Sequence, residues 1–149
     1  MHQATSTARY ASYVYAFICG LTVAGTCSAA EESPGIVPLN SFDTTDRNGK
    51  FPPHMTEGDF DGAYAYKHLY ASKENPSHRA GIWESEAGVL VIDSYRINEY
   101  VELLSGELRT IDADGTEQTF GPGDKFVIPK GWKGRWEMKS HIRKHYVTF

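Results

Sequence analysis

Glu99 is the acid in this chain around which chemistry can be built. It opens a strand-forming stretch, Glu99 to Leu104, that ends at Gly106, and it follows Tyr95 by four residues. A carboxylate enclosed by apolar side chains has a raised pKa unless a cation pairs with it. Unpaired and near neutrality, Glu99 is a candidate general acid or base, with Tyr95 as proton donor or anchor. Locked to a cation, it is a structural ion pair and the space around it only binds. Trp83 and Trp136 are candidate walls of that space, with core packing as the competing assignment. Trp132, in a loop between Gly131 and Gly134, belongs at a rim.

The histidines supply no ready metal site. His54, His68, His78, His141 and His145 are scattered rather than spaced as a ligand pair. His141 and His145 share a strand face over about 13 Å, too far apart to chelate one ion. His68 and His78 fall on adjacent candidate strands and are placed to meet across a ladder. Exposed or hydrogen-bonded imidazoles are the plainer assignment for both.

Short strands must position these residues. Gly62 to Tyr70 alternates with aromatic residues, and Ser77 to Glu84, Val89 to Tyr95 and Glu99 to Leu104 follow. Then come Glu107 to Asp112, Glu117 to Phe120, Lys125 to Ile128, Gly134 to Lys139 and His141 to Phe149. Gly115 and Gly121-Pro122-Gly123-Asp124 mark tight reversals, where glycine takes positive φ and proline pre-sets its own. Strands this short with turns this regular predict an all-β sandwich or small barrel.

The spacings Glu99-x6-Gly106 and Gly123-x5-Pro129-x-Gly131 resemble the two motifs of the cupin superfamily. The flanks Gly81-Ile-Trp83-Glu84, Gly88 and Gly134-Arg-Trp136-Glu137 are similar to single-domain cupins related to the cupin domains of (S)-ureidoglycine aminohydrolase. The resemblance runs from about Tyr64 to Phe149 and implies an antiparallel jelly-roll β-barrel that forms a homodimer. By the same resemblance the two histidines of the first motif fall on Asp93 and Tyr95, and that of the second on Gly134. One carboxylate, joined at most by Asp93, is a poor set for a metal that favours imidazole nitrogen, so no metal cofactor is expected. The resemblance also implies a lysine on the last strand as a cation for Glu99, here Lys144 within Arg143-Lys144-x-Tyr146. The expected site is an organic pocket for a small polar molecule. Glu99 and Tyr95 are its candidate catalytic groups, and Trp83, Asp93, Trp132, Trp136, Lys144 and Tyr146 its ligand contacts, with Arg96 beside them. Three functions stay open: a metal-independent enzyme, a non-catalytic binding or regulatory domain, and a metalloenzyme with altered ligands. Ureidoglycine aminohydrolase itself is a two-cupin protein with an intact metal site, so the resemblance implies the fold without that activity.

Bulk properties narrow the classes. A chain of 149 residues, 40% of them hydrophobic, suits one domain with a real core. A net charge of −4 and no basic run argue against nucleic-acid binding through phosphates. Tyr13 to Ala24 is an apolar run of signal-peptide length, too short to span a bilayer comfortably, and Ser28-Ala29-Ala30 is a small-residue cleavage site. Residues 1–30 are therefore expected to be a secretory signal, which leaves no membrane span after cleavage and a periplasmic or secreted product. Both cysteines, Cys19 and Cys27, fall inside it, so the mature chain would have no disulfide. Residues 31–62, rich in turn formers, are expected to be an extended arm, and residues 63–149 the cupin domain.

Overall fold

The computed structural model describes residues 35–39 and 47–149. The expected signal segment, residues 1–30, and residues 31–34 and 40–46 of the expected arm lie outside the described residues. Eleven strands follow in order: β1 (Gly49–Lys50), β2 (Thr56–Glu57), β3 (Ala63–Ala71), β4 (Arg79–Ser85), β5 (Gly88–Ile92) and β6 (Glu99–Ser105). Then come β7 (Leu108–Asp112), β8 (Glu117–Phe120), β9 (Lys125–Ile128), β10 (Gly134–Met138) and β11 (Ile142–Thr148). Only a single 3-10 turn, Pro53–Met55, interrupts the β pattern among the described residues.

The strands form two antiparallel sheets, in the orders β1-β3-β4-β11-β6-β9 and β2-β5-β10-β7-β8. Apart from β3–β4 and β7–β8, every connection carries the chain from one sheet to the other. Two-residue alternation then decides which side chains meet between the sheets. Glu99, Val101 and Leu103 of β6 are buried, as are Ile142, Lys144 and Tyr146 of β11. On β10 the buried face carries Trp136 and Met138. These join Leu90, Ile92, Leu108 and Ile128 in one core cluster. The outer face of β10 is polar instead. Lys139, Arg109 and Arg135 surround Glu137 there, and their hydrogen bonds and charges, Lys139 foremost, hold its carboxyl below the usual range.

Three expectations need correction. The sheets do not close into a barrel: among the described residues no ladder joins their edge strands. The chain passes from β8 to β9 through Gly121-Pro122-Gly123-Asp124, where Pro122 has no N–H to continue a ladder. Secondly, the strand expected to reach Tyr95 stops at Ile92. The backbone of Tyr95 is bonded elsewhere: its N–H donates to Trp132 O at 2.8 Å, and its carbonyl accepts from Gly131 N at 2.7 Å. Asp93 and Tyr95 thus sit on a loop, and strand alternation does not place them on one face. Thirdly, His68 and His78 are not ladder partners, since β3 pairs His68 with Gly81 while His78 lies in the turn before β4. Asn75 holds that turn, its carbonyl and side-chain oxygen accepting from His78 N and Ser77 N.

The described part of the arm is woven into both sheets, through β1 against β3 and β2 against β5. Asn48 extends the first ladder with its side chain. Its Nδ2 donates to Tyr66 O at 2.8 Å and its Oδ1 accepts from Tyr66 N at 2.9 Å, as a strand neighbour would. Phe51 then lays its ring 4.5 Å from that of Tyr64. Asn48→Ala is expected to cost about 1–2 kcal/mol, two exposed hydrogen bonds' worth, and to speed amide exchange at Tyr66. Unchanged exchange there would show that the arm does not hold β3.

Candidate functional site

The centre between the sheets is an ion pair in an aromatic box. Lys144 reaches it because β11 lies between β4 and β6, and its register sets Lys144 opposite Trp83 on one side and Leu103 on the other. The Lys144 Nζ donates to Glu99 Oε1 at 2.5 Å, and both residues are buried, 5% and 7% exposed. The ring centroid of Trp83, from the same sheet, is 5.1 Å from Nζ, and that of Trp136, from the facing sheet, is 4.8 Å. An ammonium between two indole faces gains cation–π attraction on both sides. The second carboxylate oxygen accepts from Tyr95 Oη at 2.9 Å. Burial first, then the charge and hydrogen bond of Glu99, push the Tyr95 phenol well above its ordinary range, so it stays protonated.

Of the two states that the sequence left open for Glu99, the structure takes the paired one. Trp83 and Trp136 flank the ion pair and also pack on the core. Tyr95, on its loop, is tied to the Trp132 loop, so the two loops share one end of the domain. Trp132 is half-buried, and its Nε1 donates to Asp112 Oδ1 at 2.8 Å. Its indole occupies the space over Gly134, where a Cβ would come within 2.6 Å of the ring. A side chain at position 134 therefore has no room, and glycine is required by that close approach. Asp93 and Arg96 are exposed and do not join the centre. Tyr146 is buried two residues beyond Lys144 on the same face.

Sequence reasoning assigned His68 as an exposed or hydrogen-bonded imidazole, which it is, and missed only its tie to Tyr146. His68 lies on β3, and its Nδ1 is 2.5 Å from Tyr146 Oη. The alternation of Tyr64, Tyr66 and His68 was the available signal, because it puts all three on the face that carries Trp83. His141 is exposed and His145 faces Glu102, 3.7 Å away, on the other side of the sheet. Two surface clefts lie apart from the ion pair. One is lined by Glu57, Asp59, Phe60 and Gly88, the other by Arg47, Tyr64, Glu84 and His141.

Residues 73–146 match the family model of the EutQ-like cupin domain. The domain is a cupin. Among solved structures, ethanolamine utilization protein Q from Salmonella typhimurium is 24% identical, with a TM-score of 0.51 over 62% of this chain and 76% of its own. The EutQ protein of Clostridium difficile is 25% identical, with a TM-score of 0.51 over 58% of this chain and 68% of its own. A protein of unknown function from Pseudomonas syringae pv. tomato is 18% identical, with a TM-score of 0.62 over 68% of this chain and 42% of its own. No curated protein matches the chain. These likenesses establish the cupin fold.

Metal-binding cupins combine the motif glutamate with imidazoles, and the residues present here do not fit that group. Among the described residues no three His, Cys, Asp or Glu side chains cluster to hold an ion. The glutamate of this cupin already faces an ammonium on one oxygen and a phenol on the other. A divalent cation would have to displace Lys144 from between the two indoles. Lys144→Met leaves the Glu99 carboxylate buried without its counter-charge, and is expected to cost about 3–5 kcal/mol in urea unfolding. The double variant Lys144→Met with Glu99→Gln should recover most of that loss; equal losses in both would show that the pair is not coupled.

Proposed function

We propose that this cupin binds a small polar organic molecule between its sheets and works without a metal ion. One observation carries the reading: the Lys144 ammonium lies 2.5 Å from Glu99 and supplies the positive charge that a metal supplies in other cupins. The surrounding Trp83, Tyr95 and Trp136 offer apolar faces with polar edges, the usual lining of a small-ligand site. Trp136 Nε1 is buried with no acceptor among the described residues, a donor that a ligand or water oxygen would answer. Trp132 and Tyr146 extend the lining, whereas Asp93 would contact only a ligand that projects to the surface.

A second reading is metal-independent acid–base catalysis. What favours it is the Tyr95 Oη–Glu99 Oε2 contact of 2.9 Å, a phenol and a carboxylate joined by one proton. The finer likeness to the single-domain relatives of ureidoglycine aminohydrolase belongs to this proposal as a relationship of fold, without that enzyme's reaction. Export to the periplasm or beyond is also proposed, from the apolar run Tyr13 to Ala24 and the small residues that follow it.

Purified protein is expected to carry no stoichiometric manganese, zinc, iron or nickel by elemental analysis. A full equivalent of metal that disappears in Glu99→Gln would overturn the metal-free reading. A thermal-shift screen of small polar molecules should find a stabilising ligand. Recovery of that ligand unchanged supports binding, and its conversion supports catalysis. Homodimer formation through the sheet or arm is expected from the family, and a monomeric mass in light scattering would refute it.

A further inference from the structure

On the interior face of β3, β4 and β11, register sets His68, Gly81 and Tyr146 in one row across three strands. The middle position has no side chain, and that vacancy lets Tyr146 reach over β4. A Cβ on Gly81 would lie 2.9 Å from Tyr146 Oη, in the path of its contact with His68. Across the gap, Tyr146 Oη and His68 Nδ1 are 2.5 Å apart. The other imidazole nitrogen, Nε2, is 3.3 Å from Arg79 Nη1.

Donor and acceptor roles follow from the arginine. A guanidinium only donates, so His68 Nε2 facing it must present its lone pair. The proton of the neutral imidazole is then on Nδ1 and is donated to Tyr146 Oη. The imidazole is neutral because partial burial first, and the Arg79 charge second, lower its pKa. Tyr146 keeps its own proton, since burial first and the Glu99 charge second push its phenol up. That O–H, on a residue only 6% exposed, has no acceptor among the described residues. Arg79 is also unanswered. Its Nε donates to Pro76 O at 2.6 Å, but no carboxylate lies within ion-pair range among the described residues. Arg47, Arg109, Arg135 and Arg143 each face one, whereas Arg96, which is exposed, faces none among the described residues either. Trp136 Nε1, on the opposite sheet, is a second donor without an acceptor among the described residues.

One buried donor, Tyr146 O–H, is therefore linked through the exposed His68 to the part-buried and unmatched Arg79, while both oxygens of the buried Glu99 are engaged. We propose that Arg79, His68 and Tyr146 form a donor chain that binds the carboxylate of a small organic acid, with the Tyr146 hydroxyl as the terminal donor. This deepens, and rests on, the reading of the domain as a small-molecule-binding cupin. A carboxylate fits because it only accepts, and because charge-assisted hydrogen bonds strengthen towards a cation. His68 is a positioning residue in this chain: it turns the Tyr146 proton inward by occupying the phenol oxygen from the other side.

Calorimetry and thermal shift on the full chain would compare three-to-six-carbon carboxylates, such as propionate and benzoate, with their matched amides. Carboxylates are expected to bind at least roughly tenfold tighter than the amides. Arg79→Met and Tyr146→Phe should each abolish that preference, a loss of about tenfold in the ratio of carboxylate to amide affinity. Amides that bind as well as the acids, or variants that keep the preference, would overturn the carboxylate assignment while the binding reading stands. Binding of neither class would count against both. Nitrogen-15 NMR of His68 gives a check that needs no ligand. The chain requires the tautomer protonated on Nδ1, with a shift towards the other tautomer in Arg79→Met; an Nε2-protonated ring in the parent protein would refute it.

Discussion

A lysine and a glutamate held 2.5 Å apart between two indoles constrain most of this domain. Pairs of this kind add little net stability compared with well-packed apolar residues, yet losing one partner is costly because the other charge stays buried. The arrangement therefore acts mainly on register. A slip of one residue in β11 would turn Lys144 to the outer face and bring Arg143 or His145 inward. The ladder between β11 and β6 shifts register between Arg143 and Lys144, next to the residue that must point inward. Trp83 answers Lys144 from β4, Trp136 from the other sheet and Glu99 from β6, and Tyr95 on a loop holds Glu99, so five separate segments meet at one ion pair.

That constraint also shapes the chemistry available inside. Once an ammonium neutralises the buried carboxylate, the interior has no free acid, and its unanswered groups are donors. Trp136 Nε1–H has no acceptor among the described residues, and Tyr146 O–H is the terminal donor of the chain proposed above. The Trp132 indole fills the space over Gly134, so no ligating side chain can stand there. On this cupin scaffold the motif glutamate stands in an internal ion pair between aromatic walls. Fold alone leaves binding and catalysis open, and the site must decide between them.

Much of the fold was legible in the sequence because strand formation here is local. Alternation in Gly62 to Tyr70 and regular turn signals between short runs gave most of the strands, and the Gly-Pro-Gly turn gave the break before β9. The overrun of the third strand to Tyr95 had a specific cause. Its last residues have strand-like composition, but their backbone bonds go to the Trp132 loop, a partner with no local signature. Closure into a barrel was likewise out of reach, because it depends on pairing between edge strands far apart in the chain.

The sequence by itself determined most of the strands from Ala63 onward and the turns between them, since period and turn chemistry act over a few residues, while Glu99 was singled out by the resemblance of its spacing to the cupin motifs. The partner for that acid came from resemblance, not from pattern: Lys144 is 45 residues from Glu99, and alternation says which face a side chain takes but not which strand lies beside it. Only the tertiary structure joined them. It alone set Gly81 between His68 and Tyr146, 78 residues apart, because strand order in a sheet is fixed by packing of the whole domain.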